Sequence, residues 1–231
     1  MIPLRDTVRS RTFPIVNWAL IVANVGVFLF ETSLGPNGID RLFRTFALIP
    51  SHVSSLSPTA FITLVTSMFL HGGWLHIISN MWVLYIFGDN IEDRMGSTRY
   101  LAFFLLAGIA AGLTQVFVNP NANVPTVGAS GAIAGVLGAY FLLFPTGRVI
   151  TLIPIIIIPW LVEIPAVIFI GIWLVTQVIS GLGSLASAGA VSNIAWWAHI
   201  GGFAFGFVMV NVFKRRPRAY AEWHRDEYWP Y

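Results

Sequence analysis

Four polar side chains stand near the starts of long apolar runs. They are His76 and Asn80 one helical turn apart, Ser130 in Gly128-Ala129-Ser130-Gly131, and His199 in Trp197-Ala198-His199-Ile200-Gly201-Gly202. Polar groups in segments bound for lipid are costly and are functional candidates by default. A serine hydroxyl is a weak nucleophile until an adjacent base takes its proton, and an imidazole such as His199 is that kind of base. No carboxylate shares their depth: Asp89 and Glu163 belong near the opposite ends of their runs, and Glu31 closes the first run. A Ser–His dyad is therefore expected rather than a triad. Acyl transfer also needs donors for the oxyanion, each contributing about 3–4 kcal/mol in the transition state. Asn80 and His76 can donate from side chains, and the Ser130 backbone N–H is free at a helix start. Gly128 and Gly131 would let a substrate backbone come close.

The elements that must position these groups follow from composition. The 231 residues are 56% hydrophobic and 10% charged, against about 25% charged in an ordinary soluble domain. Lipid is the solvent such a chain requires. Cysteine is absent, which excludes disulfides and thiol nucleophiles. Apolar runs of roughly 17–25 residues mark spanning helices, and they fall at about 15–34, 74–94, 98–118, 129–144, 163–181 and 196–213. The first run follows Arg5, Arg9 and Arg11 but is longer than a signal-peptide core and has no small-x-small cleavage site after it, so it reads as a retained span. Pro154 and Pro159 interrupt Val149–Val162, which is expected as an interfacial loop, with Pro165 in the first turn of span five. The stretch Ser33–Gly73 has no run long enough to cross and is expected to be partly embedded.

Six spans put both ends on one side. Eleven of the thirteen basic residues (Arg5, Arg9, Arg11, Arg94, Arg99, Arg148, Lys214, Arg215, Arg216, Arg218 and Arg225) then share that side, against Arg41 and Arg44 on the other. The positive-inside rule makes the richer side cytoplasmic. The net charge of +3 comes from these flanks and gives no reason to expect nucleic acid; the partner it implies is the lipid bilayer. Spans two, four and six run parallel in this layout. At about 1.5 Å per residue, His76, Asn80, Ser130 and His199 all lie within roughly 10 Å of the external ends. Gly131-x-x-x-Gly135 and Gly202-x-x-x-Gly206 begin just past Ser130 and His199, and small-xxx-small faces favour direct packing of span four on span six.

Plainer readings exist for each residue. Ser130 could be a helix cap, Asn80 a polar link between helices, and His71 a structural histidine. His71, His76 and His199 could share a metal, although Gly72-Gly73 breaks the helical spacing between the first two. A channel or transporter would place polar residues through the full depth, whereas these cluster in the outer third.

Gly128-Ala129-Ser130-Gly131, His76-x-x-x-Asn80 and Ala198-His199-x-x-Gly202 together resemble the three signatures of the rhomboid intramembrane serine proteases, in order, span and side of the membrane. Glu92-Asp93-Arg94-Met95-Gly96-Ser97 also resembles the family's pattern, and the likeness covers about residues 15–213. The resemblance implies an all-α, six-transmembrane-helix bundle with a water-filled cavity open to the extracytoplasmic side. It implies hydrolysis of peptide bonds in or near transmembrane segments of other membrane proteins, with no cofactor or metal. Ser130 would be the nucleophile and His199 the general base; His76, Asn80, Gly128 and Gly131 would face the oxyanion and substrate. The expected organisation is a cytoplasmic tail at 1–14, a catalytic domain at 15–213 and a cytoplasmic tail at 214–231, in a prokaryotic plasma (inner) membrane. Span five and the loop Leu182–Ala195 are the expected gate. The chain departs from the pattern twice. Ile62 and Thr63 stand where many members carry Trp-Arg, and Ala134 stands where some carry an aromatic stacked on the histidine. His199 must then be held otherwise, with Trp196 and Trp197 the nearest candidates. The alternative is a non-catalytic relative that binds membrane clients, which would be expected to lack Ser130 or His199.

Overall fold

The computed structural model describes residues 1–155, 158–186 and 194–215. Strand β1 (Ile2–Asp6) precedes helix α1 (Ile15–Ser33). A run of short elements follows: α2 (Gly35–Phe46), α3 (Pro50–Ser54), a 3-10 turn at Pro58–Ile62, α4 (Thr63–Thr66) and a second 3-10 turn at Ser67–Phe69. The long helices α5 (Trp74–Met95), α6 (Ser97–Val118) and α7 (Ser130–Leu143) come next. The hairpin β2 (Arg148–Ile155) and β3 (Ile158–Pro165) then leads into α8 (Ala166–Ala186) and α9 (Trp196–Phe213). The long helices coincide with the spans read from sequence, α8 differing most, at Ala166–Ala186 against 163–181.

Helices α1, α6, α8 and α9 are each long and apolar enough to cross a membrane, and α5 meets the bent segment Thr59–Phe69 at 80°. This is a multi-pass membrane protein. Helix α7 has only 14 residues, and every position from Gly131 to Tyr140 is buried. A helix apolar on all sides belongs inside, and α5, α6, α8 and α9 all pack on it. The glycines make that packing close. A Cβ at Gly202 would overlap the Gly131 carbonyl oxygen, and one at Gly206 would overlap that of Gly135. One at Gly138 would overlap the carbonyl of Phe203. Helices α7 and α9 thus touch backbone to backbone, as the paired small-residue motifs predict.

Two expectations are corrected. The described residues of Val149–Val162 form two antiparallel strands rather than a loop, and β1 adds to them in the order β1-β2-β3. The β-branched run favours strands, and β1 pairs no further along β2 than Leu152, short of Pro154, whose missing N–H a central ladder would not tolerate. Within the expected N-terminal tail at 1–14, Ile2–Asp6 pairs with the hairpin. Pro165 closes β3 one residue before α8 instead of lying in its first turn. Of the C-terminal tail, residues 216–231 lie outside the described residues.

Polar clamps fasten the end of the bundle that carries Arg94 and Arg148. The buried Glu92 carboxylate accepts from the backbone N–H groups of Val16 (3.1 Å) and Asn17 (2.7 Å) and from the Ser97 hydroxyl (2.6 Å). It thereby caps α1, which has no side-chain cap of its own. Tyr100 donates to Asn17 Oδ1 at 2.7 Å, and Asn17 donates to the Leu84 carbonyl at 3.1 Å. Asp6 accepts from Tyr140 (2.6 Å) and Asn90 (2.8 Å), tying β1 to α7 and α5. At the other end, the α1–α5 connection is fixed without the Trp-Arg pair. Leu48 bridges Thr126, Ser54 donates to the Pro120 carbonyl (2.7 Å), and the Gly128 N–H donates to the Ser67 carbonyl (2.8 Å).

Gly206→Leu should destabilise the protein by about 1–3 kcal/mol through overpacking, read as a lower melting temperature in detergent micelles. Gly171→Leu, whose Cβ meets nothing within 4 Å, should melt like the parent.

Burial pushes the Asp6 carboxyl up to about 6 from 3.8, against the lowering effect of its Tyr140 bond. The folded carboxyl keeps its proton where the unfolded chain has released it, so folding takes up a proton in that window and stability falls as pH rises from about 4 to 6. Melting curves compared with Asp6→Asn should show a steeper loss in the parent over that window.

Candidate active site

Ser130 is the first residue of α7, with Ala129 in the capping position. It caps nothing. Its hydroxyl lies 2.8 Å from His199 Nε2, within hydrogen-bond distance, across the α7–α9 contact. The two residues come 69 positions apart in the chain and meet because the glycines just beyond each let the two backbones close.

The other face of the imidazole is also occupied. His199 Nδ1 lies 2.7 Å from Gln177 Oε1 of α8. The Gln177 amide nitrogen donates to the Trp173 carbonyl (3.2 Å) and to Thr176 Oγ1 (3.1 Å). A carbonyl only accepts, so the amide nitrogen points to Trp173 and the amide oxygen to the imidazole. Trp173 and Trp196 flank the ring at centroid distances of 5.9 and 6.4 Å. Of the two tryptophans expected beside His199, Trp196 packs edge-on to it, while Trp197 lies towards Gly181.

His76 and Asn80 lie one turn apart on α5 and face Gly128. Gly128 has φ +119, in the region that disfavours a side chain, and a Cβ there would sit 2.7 Å from His76 Nε2 and 3.5 Å from Asn80 Nδ2. The Asn80 side chain is 7% exposed, and its Nδ2 is a buried donor with no partner among the described residues. Such an orphan is costly unless something else accepts from it. Gly131, expected beside the substrate, has a packing role as well: a Cβ there would crowd Ala111 and reach Ala198.

Ser130, His199, His76, Asn80, Gly128 and Gly131 all line one cavity of about 1390 Å³. Met1 and Pro3 also reach its wall, as do Phe169 and Trp173 of α8. His71 lies beside His76, ring centroids 5.1 Å apart, and its backbone N–H donates to Glu31 at 3.2 Å. Among the described residues, no group of three or more His, Asp or Glu side chains is arranged to hold a metal ion. Of the expected gate loop, 187–193 lies outside the described residues. Gln177 is the residue that sequence reading missed. Its signal was an amide alone in the middle of the apolar fifth run, Val175-Thr176-Gln177-Val178, the kind of intramembrane polar group that asks for a partner.

Residues 58–216 match the model of the Rhomboid domain. The chain is 27% identical to Rhomboid-like protein 11, chloroplastic, of Arabidopsis thaliana over 207 residues, which cover 87% of this chain and 66% of the relative. It is 27% identical over 217 residues to the human Presenilin-associated rhomboid-like protein, mitochondrial, covering 89% and 51% of the two chains. Against Rhomboid protein 1, mitochondrial, of Saccharomyces cerevisiae the identity is again 27% over 217 residues, covering 87% and 55%. The chain thus spans between half and two thirds of the length of these relatives.

Proposed function

The chain belongs to the rhomboid family, and on that premise we propose that it is an intramembrane serine endopeptidase that hydrolyses peptide bonds in or near transmembrane segments of other membrane proteins. The observation that carries the proposal is the 2.8 Å contact between Ser130 Oγ and His199 Nε2 inside the cavity. Ser130 Oγ attacks the scissile carbonyl carbon while its proton passes to His199 Nε2. The carbonyl oxygen becomes an oxyanion facing Asn80 Nδ2, the His76 ring and the Ser130 N–H, the donors grouped around Gly128. The imidazolium then protonates the leaving amine, and water hydrolyses the acyl-enzyme by the reverse proton path. Desolvation strengthens every one of these interactions.

A hydrogen-bonded helix hides its peptide bonds, so a substrate must unwind near Ser130, and small or helix-breaking residues in it favour cleavage. The six-span layout with its basic excess on one side supports placing both termini in the cytoplasm of a cell whose plasma membrane holds the protein. Ser130 then works near the outer leaflet. The mitochondrial and chloroplast labels belong to the relatives that bear them.

A fluorophosphonate probe should label the parent protein in micelles, with labelling abolished by Ser130→Ala and reduced by His199→Ala. Cleavage of a transmembrane client in liposomes that persists in Ser130→Ala would overturn the assignment. Activity should also fall at acid pH once His199 is protonated, because an imidazolium cannot act as a base; activity that does not fall at any acid pH at which the protein stays folded would exclude that role.

Asn80→Ala should lower the chemical rate by about 10²–10³-fold, the loss expected for one oxyanion donor, while leaving the probe's initial binding unchanged.

A further inference from the structure

We infer that Gln177 is the positioning residue of the catalytic pair, a neutral amide on α8 that fixes His199 in the tautomer and orientation able to accept the serine proton. The inference rests on the protease reading above and adds a third member to the site. An imidazole can carry its single neutral-state proton on either nitrogen, and only the form with Nε2 unprotonated can receive the proton of Ser130. The Trp173 carbonyl sets the amide orientation, because it accepts from Gln177 Nε2 and can do nothing else. Gln177 Oε1 is thereby turned to His199 Nδ1 at 2.7 Å. An oxygen acceptor at that distance requires the proton on Nδ1, which leaves the Nε2 lone pair for the serine hydroxyl at 2.8 Å. When Nε2 gains the serine proton, Nδ1 keeps its own, and the amide dipole faces the imidazolium.

The placement of α8 supports this role. Its buried residues are Ala166, Ile170, Gln177 and Gly181, a single inward stripe in which Gln177 is the one polar member and 5% exposed. One turn further on, a Cβ at Gly181 would meet Trp196, Trp197 and Ile200 of α9 at ordinary contact distances, so the stripe is seated beside His199. The Trp173 and Trp196 rings pack beside the imidazole but, among the described residues, bond to neither nitrogen. Tautomer control falls to Gln177.

The test follows fluorophosphonate inactivation of the full chain in micelles, with its maximal rate, half-saturating probe concentration and pH profile. Gln177→Leu should slow the maximal rate roughly 10- to 100-fold with half-saturation unchanged, less than the ~10⁴-fold loss when a charged orienter is replaced and the tautomer reversed. Gln177→Glu keeps the acceptor and adds charge at Nδ1. It should stay active and move the acid limb upward by about 1–3 pH units, the shift an opposite charge at this range produces. A parent-like maximal rate in Gln177→Leu, or an unmoved acid limb in Gln177→Glu, would overturn the inference. Should Gln177→Leu fail to fold, the pH profile of Gln177→Glu decides alone. Labelling that survives Ser130→Ala would instead sink the protease reading itself, whereas Ser130-dependent labelling with parent-like Gln177 variants removes only the role of the amide.

Discussion

The distance between Ser130 and His199 is set by how closely two helix backbones can approach. Neither residue is held by its own loop: each opens a helix, and the helices touch through Gly131, Gly135 and Gly138 on one side and Gly202 and Gly206 on the other. Without a hydrophobic drive between helices in lipid, association relies on packing and interhelical hydrogen bonds, so small residues that admit backbone contact decide which helices pair. Larger side chains there would carry the hydroxyl out of reach of the ring, whatever the residues at the site. The burial of α7 follows from the same contact. A 14-residue helix surrounded by its neighbours owes its place to them rather than to its own span of the bilayer.

Around that contact the polar groups divide into two kinds. Those at the Arg94 end are satisfied: Glu92 accepts three hydrogen bonds, Asn17 both accepts and donates, and Asp6 accepts from Tyr140 and Asn90. A buried carboxylate is tolerable only when paired in this way, and the Glu92 bonds lock α1, α5 and α6 into one unit. At the Ser130 end the satisfaction is incomplete. Asn80 keeps a buried N–H with no partner among the described residues, beside Gly128, where a Cβ would crowd His76. Interhelical hydrogen bonds are thus concentrated at one end of the bundle, and the buried Asn80 donor at the other.

Much of this was legible in the residues. The six apolar runs recur as α1 and α5 to α9, and the four polar groups read as sharing one depth line one cavity; both follow from periodicity, which local physics dictates. The hairpin was not legible, because Pro154 and Pro159 argue against a helix without saying what replaces it, and the strand that completes the sheet comes from Ile2–Asp6, more than a hundred residues away. The partner of His199 was hidden for a similar reason. Reading for carboxylates finds none at the right depth, and Gln177 lies on a helix whose rotation about its own axis the sequence pattern alone leaves open. Gly131 carries a packing role that its place beside Ser130 did not reveal, since a Cβ there would meet Ala111 and Ala198.

An amide rather than a carboxylate behind His199 fits the surroundings of α8. Most of that helix is apolar and exposed on the bundle's periphery, as at Ile172, Val175 and Ile179, so the helix meets lipid along much of its length. An ionised side chain in the centre of such a helix costs about 2.5–3.5 kcal/mol on insertion scales, and burying a charge without a full set of hydrogen bonds costs more. Gln177 avoids that penalty and still offers one oxygen of fixed direction, because its nitrogen is engaged within its own helix at Trp173 and Thr176. The dipole gives weaker support to an imidazolium than a full charge would, but it selects the tautomer equally well. The orientation of the imidazole also depends on where α8 sits, since the acceptor is carried by that helix and not by α7 or α9. Any displacement of α8 that lengthens the 2.7 Å contact removes the constraint on Nδ1 while leaving the Ser130–His199 distance, which α7 and α9 set, unchanged.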